Sequence, residues 1–176
     1  REALSPPKAF GQQAKPKQED QTVEFDAAMT ASDLDRLKHA VAASTRSERH
    51  TALMFVDLDK FKTLNDQHGH DIGDMLLQEV GRRLNSCVRD VDTVARLGGD
   101  EFGVLLHSNY ETSMEIARAL LATMSYPFVV GKESIDLGVS IGVASNNSDG
   151  DLLRRADVAM YRAKRESLGV AHFDFF

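Results

Sequence analysis

Tryptophan is missing from this chain, cysteine occurs once, proline four times, and basic residues are outnumbered by acidic ones. A lone cysteine, Cys87, excludes an intramolecular disulfide framework. In an apolar helical setting it reads as a small core residue, and a reducing cytoplasmic location is the expectation. Lys and Arg number 21 against 27 Asp and Glu, for a net charge of −6. That balance argues against a groove for a nucleic-acid polymer, which needs a basic stripe to neutralise phosphates. A small anionic ligand held by a few local groups stays open. No apolar run approaches the roughly 18 residues of a membrane span and no signal peptide opens the chain, so no membrane segment is expected.

Three of the four prolines, Pro6, Pro7 and Pro16, fall among Gln, Lys and Glu near the N-terminus. Residues 1–30 therefore read as a flexible linker or tail. The chain starts at Arg1 without a Met, which suggests an excerpt of something longer.

What is present is enough for one compact domain: 176 residues with 42% apolar side chains. Ser32, with Asp35 three residues on, precedes Leu34, Leu37 and Val41, the pattern of a capped amphipathic helix over 32–47. TALMFVDLD (51–59) is a short apolar run closed by two acids, as in a strand covered on both faces whose end emerges at a site. Ile72, Leu76, Val80, Leu84 and Val88 keep helical spacing over 71–88. VDTVARL and EFGVLLH flank Gly98-Gly99, a hairpin signal because primed turns need positive φ, with Asp100 and Glu101 starting the second strand. A helix follows over about 110–125 and stops before Pro127. Strands are expected near 127–131 and 135–145, then a helix from about Asp149 with Leu152, Ala156, Ala159 and Ala163 inward. AHFDFF supplies a final short strand or linker.

This order of elements predicts an α+β, ferredoxin-like or palm-type sandwich, a mainly antiparallel central sheet flanked by helices. In that topology the second hairpin strand lies antiparallel beside the first strand, bringing Asp57 and Asp59 towards Asp100 and Glu101. Such carboxylates repel one another unless a cation neutralises them, and hard oxygen ligands suit Mg²⁺ or Mn²⁺. Metal-assisted phosphoryl or nucleotidyl transfer is the implied chemistry. Spacing alone leaves this level with the alternative that the acids are solvated loop ends.

DKFKTLNDQHGHDIGD (59–74) is unusually polar for a stretch between strand and helix. An Asn amide with an Asp carboxylate can read a guanine edge, and Lys62 can take a phosphate. His68 and His70 fit helix capping as well as ligand contact. By spacing alone Arg89 and Asp92 are a surface ion pair of little worth. Lys164 and Arg165 suit the negative end of a helix dipole.

Taken together, VDLDKFKTLNDQHGHDIGD, RDVD and ARLGGDEF resemble the GGDEF domain of diguanylate cyclases, which condense two GTP into cyclic di-GMP with loss of pyrophosphate. The resemblance covers about 50–166 and implies a tail over 1–30, a lead-in helix over 31–48 and the GGDEF domain over 49–176. It implies a nucleotidyl cyclase-like fold. Asp57 and the Leu58 carbonyl resemble metal ligands for Mg²⁺ or Mn²⁺, with Glu101 another. Asp100 resembles a residue that ligates metal or helps activate the 3′-hydroxyl, making Asp100 and Glu101 the catalytic pair. The Gly98-Gly99 turn would let the triphosphate approach backbone. Asn65 and Asp74 match guanine readers, His70 and Phe61 stand among the substrate contacts, and Lys62 and Lys164 match phosphate-binding lysines. Arg89 and Asp92 match an RxxD inhibitory site for cyclic di-GMP, five residues ahead of GGDEF. The resemblance further implies a homodimer for catalysis, since each domain holds one GTP, and an adjacent sensor or EAL phosphodiesterase domain.

Two departures stand out. DQTVEFDAAMTAS replaces the family's DxLTGLxNR opening, and Ser-Leu-Gly at 167–169 replaces GRN, so Leu168 stands where a phosphate-contacting Arg is common. Loss of one such contact weakens triphosphate binding by about 1.5–3 kcal/mol. The main expectation is a diguanylate cyclase. The alternatives are a noncatalytic module that binds GTP or cyclic di-GMP and controls a neighbour, and a cyclase acting on a single nucleotide.

Overall fold

The computed structural model describes residues 31–46, 50–145 and 151–173. The expected tail, the DQTVEFDAAMTAS stretch up to residue 30, the Ser32 side chain, Asp149 and the last three residues lie outside them. Twelve elements follow in order: α1 (Ala31–Arg46), β1 (Ala52–Leu58), α2 (Phe61–His68), α3 (His70–Ser86), β2 (Thr93–Gly98), β3 (Glu101–Leu106), α4 (Tyr110–Met124), β4 (Phe128–Val130), β5 (Glu133–Ile135), β6 (Val139–Ser145), α5 (Leu152–Arg165) and β7 (Val170–His172). Five strands form one sheet in the order β2-β3-β1-β6-β7, and β4 with β5 forms a separate ribbon. Only β7 runs parallel to its neighbour, so the expected mainly antiparallel α+β sandwich is what forms. Among the described residues no helix is long and apolar enough to cross a membrane.

Strand β1 sits at the centre and its alternation sorts two cores. Ala52, Met54, Val56 and Leu58 face one side, packed with Leu76, Val80 and Leu84 of α3 and Leu120 and Met124 of α4. Leu53 faces the other, with Leu37 and Val41 of α1 and Leu152 and Ala156 of α5. Helices therefore cover both faces, which is why TALMFVDL reads as a nearly continuous apolar run. Arg36 of α1 also donates from Nη2 to the Val94 carbonyl at 3.3 Å, tying that helix to β2.

Three local expectations change. The polar residues between the strand and the helix expected from 71 are themselves helical: they form α2 and, after a break at Gly69, whose φ is +90°, the start of α3. The signal was thin, because Phe61 and Leu64, three residues apart, are α2's only apolar anchors to the core before Gly69. Between the strands expected near 127–131 and 135–145 an additional one, β5, turns back on β4, and β6 begins only at Val139. In the hairpin, Gly98 still belongs to β2 and only Gly99 has positive φ, +38°. Asp100 therefore lies in the turn, and β3 begins at Glu101.

Helix α5 approaches the sheet over Gly142. A Cβ there would lie 2.0 Å from the Met160 nitrogen and 2.4 Å from the Ala156 carbonyl oxygen, both rigid backbone. Gly142→Ala should cost about 3 kcal/mol or more, read as a lower denaturation midpoint; a midpoint equal to wild type would show that α5 does not depend on this close approach.

Candidate active site

The ends of β1 and β3 meet in register, with Asp57 opposite Glu101 and, on the other side, opposite Ser140 of β6. Alternation puts Asp57 on the same face as Leu53, the face that α5 covers, and Asp57 is 4% exposed. The Leu58 N–H donates to the Asp100 carbonyl at 3.0 Å, which fastens the hairpin turn to the end of β1. Asp59 is held away on the β6 side: its N–H donates to the Gly138 carbonyl at 2.8 Å, and its Oδ1 accepts from the Ser140 hydroxyl at 2.9 Å. From the last turn of α5, Lys164 Nζ lies 2.5 Å from Asp57 Oδ2. Asp57, Asp100, Glu101 and Lys164 thus converge from β1, the turn, β3 and α5.

Burial, first, and then the charge of Asp57 raise the Asp100 carboxyl above its ordinary value, and a hydrogen bond between the two acids adds to the rise. Glu101 is raised in the same way, by burial and then by Asp57, Asp100 and Asp157. The Lys164 ammonium is held above its ordinary value chiefly by its hydrogen bond to Asp57. One lysine thus faces several acids, and it bonds directly to one of them.

Sequence reading overlooked Arg96. Its Nε and Nη2 both donate to the Gly99 carbonyl, at 3.1 and 2.8 Å, and the residue is 8% exposed. Two donors on one carbonyl hold the turn that carries Asp100, so Arg96 is a positioning residue. The available signal was an Arg two places before a Gly pair.

The second group of candidates lies on α2, which two residues separate from the end of β1, and on α3, which follows it. Asn65 Nδ2 and His70 Nδ1 are 2.9 Å apart. Asn65 Oδ1 occupies a notch over Gly73, where a Cβ would stand 2.1 Å from it. Asp74 is exposed one turn along α3 from His70, so the two share a face. Lys62 is exposed on α2, whereas Phe61 is buried in the core. His68 turns elsewhere, with Nδ1 3.8 Å from Glu133 Oε2.

Arg89 and Asp92 form the third group. Asp92 is a structural tie: Oδ2 accepts from the Arg89 N–H at 2.9 Å, and Oδ1 accepts from the His107 N–H at 3.0 Å. The Arg89 guanidinium is half exposed, donating from Nη2 to the His107 carbonyl at 2.6 Å.

As a donor set, Asp57, Glu101 and Asp100 offer the hard oxygens that Mg²⁺ or Mn²⁺ prefers, and their mutual repulsion is the kind a divalent ion relieves. Among the described residues no three His, Cys, Asp or Glu side chains are placed to hold an ion by themselves. A cation here would also draw on backbone and water oxygens, as Mg²⁺ commonly does.

A central antiparallel sheet, helices on both faces and acids paired at one strand end define a nucleotidyl cyclase-like α+β domain. The family described as diguanylate cyclase, GGDEF domain, matches residues 32–168, and the chain belongs to it. It is 41% identical over 135 residues to the bifunctional diguanylate cyclase/cyclic di-GMP phosphodiesterase MucR of Pseudomonas aeruginosa, covering 74% of this chain and 20% of that protein. Diguanylate cyclase TpbB of the same species is 37% identical over 141 residues, covering 76% of this chain and 32% of that protein. The chain therefore spans between a fifth and a third of these relatives. Among solved structures, an EAL/GGDEF domain protein from M. capsulatus superimposes with a TM-score of 0.72 at 42% identity, covering 82% of this chain and 98% of that one. The active GGEEF domain of a diguanylate cyclase from Vibrio cholerae gives 0.72 at 28% identity, covering 82% and 96%.

The raised Asp100 carboxyl has a pH consequence. Its contribution to stability is fully present below the ordinary value of 3.8 and is lost as pH rises through the raised value in the folded domain. Above that raised value the metal-free fold carries the whole penalty. Asp100→Asn, whose amide can donate to Asp57 at any pH, should raise the melting temperature at pH 7 in chelator, with the advantage shrinking on acidification. A variant that melts lower at pH 7 would contradict this account of the site.

Proposed function

We propose that this chain is a diguanylate cyclase module that condenses two GTP into cyclic di-GMP and releases two pyrophosphates. The observation that carries the reading is the register of β1 against β3, which sets Asp57 opposite Glu101 with Asp100 on the adjoining turn. Membership of the GGDEF family supports cyclic di-GMP synthesis as the activity. Each 3′-oxygen attacks the α-phosphate of the other GTP, so two domains meet face to face and neither completes the product alone.

Asp57, the Leu58 carbonyl, Asp100 and Glu101 would hold Mg²⁺ or Mn²⁺. Such an ion supplies neutralisation of the charge that gathers on the attacking and leaving oxygens. Asn65 and Asp74 read the guanine edge from the α2–α3 notch, and His70 orients the Asn65 amide. Lys62 and Lys164 bind phosphate oxygens, and Phe61, buried in the core, anchors the start of α2. Arg96 holds the turn so that the backbone at Gly98 and Gly99 can approach the triphosphate. MucR is named as bifunctional, and the M. capsulatus protein as EAL/GGDEF; both support an adjacent domain, an EAL phosphodiesterase or a sensor, in the protein to which this chain belongs.

A second reading, a noncatalytic module that binds nucleotide and controls a neighbour, is favoured by Leu168, 46% exposed where a phosphate-contacting Arg is common. One assay separates the two. With GTP and Mg²⁺ at high protein concentration, the cyclase forms cyclic di-GMP, detected by chromatography. Glu101→Gln should lower turnover at least about 100-fold with the fold intact, because it removes an acid from the reacting centre and no core volume. Nucleotide binding without product in the wild-type chain would establish the module instead.

Arg89 and Asp92 form the inhibitory site for cyclic di-GMP in this reading. Arg89→Ala is the clean probe, because it removes a half-exposed guanidinium and leaves both N–H bonds to Asp92 in place. Its product inhibition should weaken at least about tenfold, the loss of one charge-assisted contact, while the initial rate stays at wild type; an unchanged inhibition curve would remove Arg89 from the site.

A further inference from the structure

We propose that Lys164 is a stand-in cation: it neutralises Asp57 in the empty site, leaves when a divalent ion enters, and is thereby released to the triphosphate. The inference rests on the cyclase reading above and concerns the order and coupling of binding at that site.

The geometry is specific to this lysine. Three basic residues occupy the last turn of α5: Arg162, Lys164 and Arg165. Arg162 Nε pairs with Glu166 at 3.3 Å, and Arg165 Nη2 lies 3.7 Å from the same residue. Lys164 reaches into the sheet, with Nζ 2.5 Å from Asp57 Oδ2. The Asp57 side chain is 5% exposed, so water screens it poorly, while the Lys164 side chain is 48% exposed and has room to swing outward. Asp57 needs a counter-charge close by, because the neighbouring Asp100 and Glu101 carry charge of the same sign.

A divalent ion bound to Asp57 Oδ2 at about 2.1 Å would stand only about 4 Å from an ammonium that kept its present place, and the two would repel strongly. Departure of Lys164 relieves that repulsion. The freed ammonium remains tethered to α5, which Gly142 holds close to the sheet, so it stays within reach of anything bound beside the metal. Each partner then prepares the site for the other: the ion releases a phosphate-binding lysine, and phosphates that capture the lysine open Asp57 to the ion. Such coupling is reciprocal by thermodynamic necessity. Without nucleotide the ion must compete with Lys164 and binds weakly. The empty site meanwhile stays neutralised.

The test uses the whole chain and binding calorimetry, first with Mn²⁺ alone, then with a non-reactive GTP analogue at saturating Mn²⁺. Lys164→Met should bind Mn²⁺ alone about fivefold to tenfold more tightly, the equivalent of a half-buried ion pair removed. The same variant should bind the analogue at least about tenfold more weakly. Lys164→Gln serves as a second neutral variant should the Met form fold poorly. In crystals of the wild-type chain with Mn²⁺ and no nucleotide, Nζ should lie beyond the roughly 4 Å limit of an ion pair with Asp57. Neutral variants that bind Mn²⁺ no better than wild type, or an ion pair retained beside bound Mn²⁺, overturn the exchange while product formation leaves the cyclase reading standing. A wild-type chain that binds neither Mn²⁺ nor the analogue and forms no product overturns both.

Discussion

Everything at the site depends on the antiparallel pairing of β1 with β3. Strand pairing has a side-chain period of two, so a slip of one residue would turn Asp57 away from Glu101 and put a carboxylate into the apolar core beneath α3 and α4. The cores on the two faces of the sheet make such a slip costly, because Met54 and Val56 would exchange faces with Leu53 and Phe55. Packing that has nothing to do with chemistry thereby sets the positions of acids more than forty residues apart in sequence.

Charge is the second constraint, and it runs against the first. The register gathers acids around the buried Asp57, and although Asp100 is half-buried and Glu101 exposed, both carboxyls are raised, partly by its charge. The fold manages it with Lys164, delivered by a helix that Gly142 admits close to the sheet. Arg96 adds a second device by holding the turn through the Gly99 carbonyl. Scaffold and site therefore share residues: a glycine chosen for close approach and a buried arginine matter to the acids without touching a substrate.

The strand, the hairpin and helices α3 to α5 were legible because their apolar periods are long and clean. Helix α2 was not, since Phe61 and Leu64 are its only core anchors and its other positions are polar for reasons of surface or ligand. Strand β5 was hidden because it is only three residues long, Glu133-Ser134-Ile135, and Ile135 is its one apolar, buried position. Asp92 gave the least warning. Its spacing from Arg89 suggested a weak surface pair, yet its side chain is fully covered and closes the loop between α3 and β2 through two backbone N–H groups.

By itself the chain's order of residues determined the class of fold, the family and the identity of the acids, because periodicity, glycine turns and GGDEF-type motifs are local patterns that survive in one dimension. Tertiary structure alone decided that Lys164 rests on Asp57, that Arg96 grips the turn and that Asn65 lies over Gly73. The first joins residues 107 apart in sequence, set by strand register and helix approach, and the other two depend on the backbone path of a turn and of a helix break, which fix where a nearby side chain lands.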